Sequence, residues 1–154
     1  MSRLLLAGGA EFATGEASLT LSPAHAHDSL SRLFVEVSVE GFETSAVIDT
    51  GGAYLILHPA LATELSLGGA SAAQRDRLAI RGITFAGSLH RIPVTLLATA
   101  GESLTFEATA FVPELGDGEV WPLPSYLGWQ GCLDRIRFAV DPADEVVYFG
   151  APAA

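Results

Sequence analysis

At 154 residues the chain is long enough to bury an ordinary core, and residues 1–154 read as one domain with its core over about 33–150. Eight basic residues against 18 acidic ones, a net charge of −10, exclude a surface built to hold phosphate backbones, so no nucleic-acid partner is expected. The single Cys132 excludes an intramolecular disulfide framework and fits a reducing compartment. Leu4-Leu5-Leu6 is too short for a signal-peptide apolar region, and Glu11 follows soon after. No apolar stretch reaches membrane-spanning length, so the expectation is a cytoplasmic protein with no membrane partner.

In chain order, residues 33–39 alternate apolar and polar side chains, Glu40-Gly41 punctuates, and residues 42–48 return as a second strand. This hairpin delivers Asp49 to a strand end. Residues 54–57 form the next strand, and Pro59 opens a short helix that runs to Leu65 and stops before Gly68-Gly69. Residues 78–85, 89–98 and 103–112 read as a run of strands, with turns at Gly87-Ser88 and Gly101-Glu102. Residues 113–125 are a loop containing Pro122 and Pro124, and residues 141–144 separate the last two strands. Both chain ends, residues 4–6 and 146–149, are strand-like and too apolar to be comfortable exposed edges. Many short strands with regularly spaced turns imply a mostly β protein, a small antiparallel barrel or sandwich with one or two short helices.

One segment carries chemistry. Ala46-Val47-Ile48 anchors the backbone, Asp49 emerges at the strand end, Thr50 can lock the turn through its hydroxyl, and Gly51 permits a geometry other residues would strain. By itself Asp49-Thr50-Gly51 is equally an ordinary turn, where Asp and Gly are favoured. A second segment stands near the C-terminus: Tyr126-Leu127-Gly128, then Cys132 to Asp141, then Val146 to Gly150. With its apolar approach and this sequel in the same order, the chain resembles the retropepsin-like aspartic proteases from about Leu33 to Gly150. The resemblance implies a closed acid-protease barrel in which Tyr126-Leu127-Gly128 threads beside the Asp49 strand.

It further implies an aspartic endopeptidase in which Asp49 is the catalytic carboxylate, acting on peptide or protein substrates without a cofactor. Bilobal relatives carry two such motifs in a chain about twice as long; here there is one, so the second carboxylate must come from a second copy in a homodimer. Thr50 would then hydrogen-bond across the two-fold axis, and Gly51 and Gly52 would support the active-site turn. Gly52 departs from the Ala or Ser usual at its position. The substrate-covering flap maps onto residues 77–87, with Arg81 and Gly82 at its tip and few glycines; residues 68–73 are a second candidate. The same dimer could instead be a weak or inactive homologue that binds peptides, and an unrelated all-β protein with a simple turn is the third reading.

Other residues invite chemistry and have simpler explanations. His25-Ala26-His27-Asp28 could begin a zinc site, but no Cys pair or His-Glu-x-x-His helix completes it, so a solvated loop is expected and no metal is assigned. His58 reads as a surface or capping residue, and Cys132 as a small buried apolar one. Trp121 and Trp129 could line a pocket, with core packing the default.

Overall fold

The computed structural model describes residues 4–67 and 74–152; the second flap candidate, residues 68–73, lies outside the described residues. The strands are β1 (Gly15–Ser18), β2 (Thr20–Ser22), β3 (Arg32–Val39), β4 (Phe42–Ile48) and β5 (Leu55–Ile56), followed by helix α1 (Pro59–Glu64). Then come β6 (Gln74–Ile80), β7 (Ile83–Leu96), β8 (Ala100–Gly101), β9 (Leu104–Pro113), β10 (Ser125–Leu127), a 3-10 turn at Leu133–Arg135, β11 (Arg137–Asp141) and β12 (Val146–Gly150). The protein is mostly β, as expected.

The larger sheet runs β2-β3-β4-β10-β5-β9-β7-β6, and β3 also pairs with β7. That extra ladder, from Val37↔Leu96 to Val39↔Val94, closes β3-β4-β10-β5-β9-β7 into a barrel. Within it, β10 lies parallel to β4 and β5 parallel to β9. Parallel strands need cover on both faces, and β4 has it: Ala46 faces the barrel core and Val47 a second apolar cluster outside it. This explains why Ala46-Val47-Ile48 is continuously apolar rather than alternating. The inner cluster holds Val35, Val37, Leu55, Ala110 and Leu127, all fully buried, so the barrel interior is a packed core.

Two expectations are corrected. Residues 78–85 are not one strand but a hairpin: β6 and β7 meet at Ile80↔Ile83 around Arg81 (φ 51°) and Gly82 (φ 80°). Two central residues with positive φ are what the twist of a tight hairpin requires. Gly87-Ser88 is not a turn but the middle of β7, which runs unbroken past both residues. Gly87 is needed there because an added Cβ would collide with the Phe111 ring and the Val112 carbonyl. Finally, β12 is no open edge. As its apolar residues require, it is an inner strand, paired with β11 on one side and β1 on the other. The strands β1 and β2 went unread in the sequence, because they are only four and three residues long. At the other end, Leu5 makes a lone bridge to Glu11.

Gly87→Ala should therefore destabilise the fold by about 1–3 kcal/mol, the usual effect of overpacking. The readout is a lower urea midpoint at unchanged slope; a midpoint at or above the parent's would refute the packing account.

Candidate active site

The hairpin β3–β4 turns at Glu40 (φ 48°) and Gly41 (φ 90°), which sets Val39 opposite Phe42 and Phe34 opposite Val47. Across β4, Tyr126 of β10 pairs with Val47, and across β10 Ile56 pairs with Tyr126. Residues directly opposite share a face, and so do those two apart. Phe34, Val47, Ile56 and Tyr126 thus form one outer wall, and continuing by two residues adds Arg32 and Asp49 to it. Continuing the same register also sets Arg32 across from Asp49.

Over this wall folds the β6–β7 hairpin. Leu78, Phe85 and Ile80 pack with Val47, Ile56 and Tyr126 in the outer apolar cluster, together with Trp121 and Leu123 of the loop before β10. Between wall and hairpin lies a cleft of ≈ 580 Å³, lined by Asp49, Gly51, Gly52, Arg32 and Tyr126 below and by Leu78 to Arg81 above. The sequence-proposed turn and flap tip therefore meet in one cavity. A second, more apolar cavity of ≈ 490 Å³ lies beyond the hairpin tip; it shares Ile80 and Arg81 with the first and is walled by His25, His27, Phe85 and Trp121.

The turn is held by backbone clamps. Asp49 N–H donates to Leu127 O (2.9 Å), Gly51 N–H to Asp49 Oδ1 (3.1 Å) and Gly52 N–H to Asp49 O (3.2 Å). From the other side, Trp129 N–H donates to Gly52 O (2.7 Å) and Gly128 N–H to Tyr54 O (2.8 Å). Gly128 comes so close that an added Cβ would stand 2.8 Å from the Ala53 carbonyl carbon and 2.9 Å from Gly52 O. Tyr126-Leu127-Gly128 thus threads directly beside Asp49. Asp49 is half-buried, while Thr50 is exposed and its hydroxyl has no partner among the described residues. Tyr54, held at φ 64° between Gln130 O and Gly128 N–H, reaches up to β6: its hydroxyl donates to Asp76 (3.0 Å). Burial, then that hydrogen bond, raises the phenol above its ordinary pKa.

The sequence reading passed over a charged clasp. Asp28, whose side chain is only 3 % exposed, accepts from Arg32 Nε (2.9 Å) and Nη2 (3.1 Å) and lies 3.5 Å from Arg81 Nη2 at the hairpin tip. The backbone N–H groups of Ala24 and Leu30 also donate to it. Arg32's hydrogen bond above all holds the Asp28 carboxyl well below the carboxylate range, despite desolvation that opposes this. Arg32 is raised in turn by that bond, with Asp28, Tyr126 and Asp49 adding smaller attractions. The two-residue turn at Glu40-Gly41 already implied Arg32 opposite Asp49; no local signal announced Asp28.

The remaining residues are placed plainly. His58 caps α1, its Nδ1 accepting from Ala60 N–H (3.1 Å). His25 and His27 bond to each other's loop, Nδ1 of the first accepting from the second's N–H, and no group of three or more His, Cys, Asp or Glu suited to a metal occurs among the described residues. Cys132 is fully buried and its thiol is pushed up to about 12 by desolvation, which removes it as a nucleophile. Trp121 is buried edge-on to Phe85 (5.4 Å); Trp129 is 48 % exposed beside the Asp49 turn. No helix among the described residues is long and apolar enough to cross a membrane.

No protein-family model matches the chain, and no curated protein matches its sequence. Among solved structures it is similar to a retropepsin-like aspartic protease from Rickettsia conorii, with a TM-score of 0.54 over 86 % of this chain and 97 % of that one, at 18 % identity. The likeness at that identity is one of fold: this is a retropepsin-like, mostly β architecture.

The clasp makes stability depend on pH. Asp28 has an ordinary value of 3.8 and a lower one when folded, so its contribution is complete above about pH 4 and fades as pH falls towards the folded value. Asp28→Asn should melt lower than the parent at pH 7, with the gap narrowing towards pH 2; a gap independent of pH would contradict the clasp.

Proposed function

We propose that the chain is an aspartic endopeptidase active as a homodimer, with Asp49 of each copy forming one catalytic dyad. The observation that carries this reading is the Asp49-Thr50-Gly51 turn, clamped by Leu127 and Gly128 on the floor of a cleft that a β-hairpin roofs. The fold it shares with a retropepsin-like aspartic protease supports it.

Hydrolysis without a metal or covalent intermediate needs an activated water and a proton donor. Two carboxylates at close range supply both, because like charges so near cannot both ionise. The ionised member takes a proton from water as it attacks the scissile carbonyl, and the protonated member donates to the developing oxyanion. The pair titrates as a unit, so the proton belongs to neither copy. One chain carries one such turn, and a two-fold axis beside Asp49 supplies the second. Thr50, exposed and without a partner among the described residues, would donate its hydroxyl across that axis, while Gly51 and Gly52 keep the backbone close to the carboxylate. Arg81 and Gly82 form the tip of the flap.

The pinning of that tip to Asp28 favours a second reading, a dimer that binds peptides and cleaves them poorly. Acid-favoured cleavage of a peptide library that a statine-type transition-state mimic blocks would separate the two.

Asp49→Asn should keep the parent's circular dichroism and melting behaviour while lowering cleavage by roughly a thousandfold or more. Undiminished cleavage by the folded variant would rule the assignment out. On dilution, specific activity should fall as the dimer dissociates, in step with sedimentation. A species that sediments as monomer with full activity would overturn both the dimer and the dyad.

A further inference from the structure

Tyr126 presents an unsolved polar group. The residue is 6 % exposed, lines the cleft that holds Asp49, and its hydroxyl is buried with no hydrogen-bond partner among the described residues. A buried hydroxyl left unpaired costs about 1–3 kcal/mol, whereas Phe would fill the same apolar wall without that penalty. The position is therefore a poor one for a purely structural tyrosine. Leu78 and Ile80 of the hairpin pack in the same cluster as Tyr126, so the roof lies against the residue that bears this hydroxyl.

A second donor-bearing residue, Arg32, lines the same space. Arg32 gives Nε and Nη2 to Asp28, and its Nη1 has no partner among the described residues. Arg32 and Tyr126 line one cavity and stand on one face of the wall, two strands apart through β4. Asp49 Oδ1 is already occupied by Gly51 N–H. The cleft thus offers a phenolic O–H and a guanidinium N–H that no hydrogen bond among the described residues uses, beside the second oxygen of Asp49.

We propose that this pair reads an acidic side chain, Glu or Asp, in the bound peptide: the carboxylate accepts from the Tyr126 hydroxyl and from Arg32 once the hairpin lifts. This rests on the peptidase reading of the cleft and deepens it to a substrate class. The chain's net charge of −10 opposes an acidic peptide at a distance. At physiological salt, however, charges beyond about 8 Å are screened, and the local pair decides. Hydrogen bonds to a charged group are also about twice as strong as neutral ones.

The test is calorimetric binding of blocked peptides to the Asp49→Asn protein, so that nothing is cleaved. One position at a time is set to Glu, Gln or Leu, in the presence and absence of Tyr126→Phe. At one position the Glu peptide should bind roughly ten- to a hundredfold tighter than its Leu counterpart, and Tyr126→Phe should reduce that ratio by about tenfold. The Tyr126→Phe protein should melt at or above its parent, since the change removes an unpaired hydroxyl. A Glu-to-Leu ratio near one at every position, a ratio that survives Tyr126→Phe, or a lowered melting temperature with an unchanged ratio would each overturn the proposal. Hydrolysis by the unsubstituted chain without Glu preference would sink this inference and spare the peptidase reading. Glu-selective binding without any hydrolysis would do the reverse, and failure to bind any peptide would sink both.

Discussion

The insertion of β10 between β4 and β5 is the constraint on which the site depends. These two strands are neighbours in sequence, separated only by the Asp49 turn, and the simplest hairpin would pair them directly. Instead Tyr126-Leu127-Gly128 enters between them, parallel to one and antiparallel to the other. The turn is thereby opened into a wide loop whose backbone groups would be orphaned without this third strand. Leu127 O, Gly128 N–H and Trp129 N–H satisfy Asp49, Tyr54 and Gly52 in turn. Since a buried unpaired backbone group costs as much as a lost hydrogen bond, the carboxylate's position and the threading stand or fall together. Only glycine at 128 lets the chain pass so close.

From that knot the rest of the cleft follows by strand geometry. A period of two puts Val35, Ala46, Leu55 and Leu127 inside the barrel and Phe34, Val47, Ile56 and Tyr126 outside. The outer row would be an exposed apolar stripe if nothing covered it. The β6–β7 hairpin covers it and is the lid of a second small core. Burying one such side chain is worth about 1.5–3 kcal/mol. Lifting the hairpin exposes several at once, and polar ties at Asp28–Arg81 and Tyr54–Asp76 add to the opposition. Any molecule that entered beneath the hairpin would have to replace this apolar cover.

The charges sort accordingly. Exposed pairs such as Arg91–Glu107 contribute little, as surface ion pairs do. Asp28 differs because its carboxylate is nearly inaccessible and receives two side-chain and two backbone hydrogen bonds from its own loop, with Arg81 of the distant hairpin 3.5 Å away. It also fixes Arg32 at the rim of the cleft, across from Asp49.

Much of this was legible in the residues. Alternation over 33–48 with Glu40-Gly41 between set a hairpin ending at Asp49, and its register already placed Arg32 opposite. Pro59 and His58 marked the short helix, and the two motifs in order pointed to the barrel. What the sequence misjudged were local signals overridden by tertiary pairing. Gly87-Ser88 carries turn chemistry yet lies mid-strand, because Gly87 must pass the Phe111 ring. Arg81-Gly82, hidden within an apolar run, is the true turn. The apolar β12 called for cover on both sides, and one of its partners, β1, is too short to announce itself. The sequence by itself therefore determined which residues could bear the chemistry and which segments must be buried, since periodicity and turn preference are local properties. Only the tertiary structure decided that Asp49, Arg32, Arg81 and Tyr126 share one cleft. That meeting depends on non-local strand pairings between residues up to 79 positions apart, as β10 and the Asp49 turn are, and no local preference encodes them.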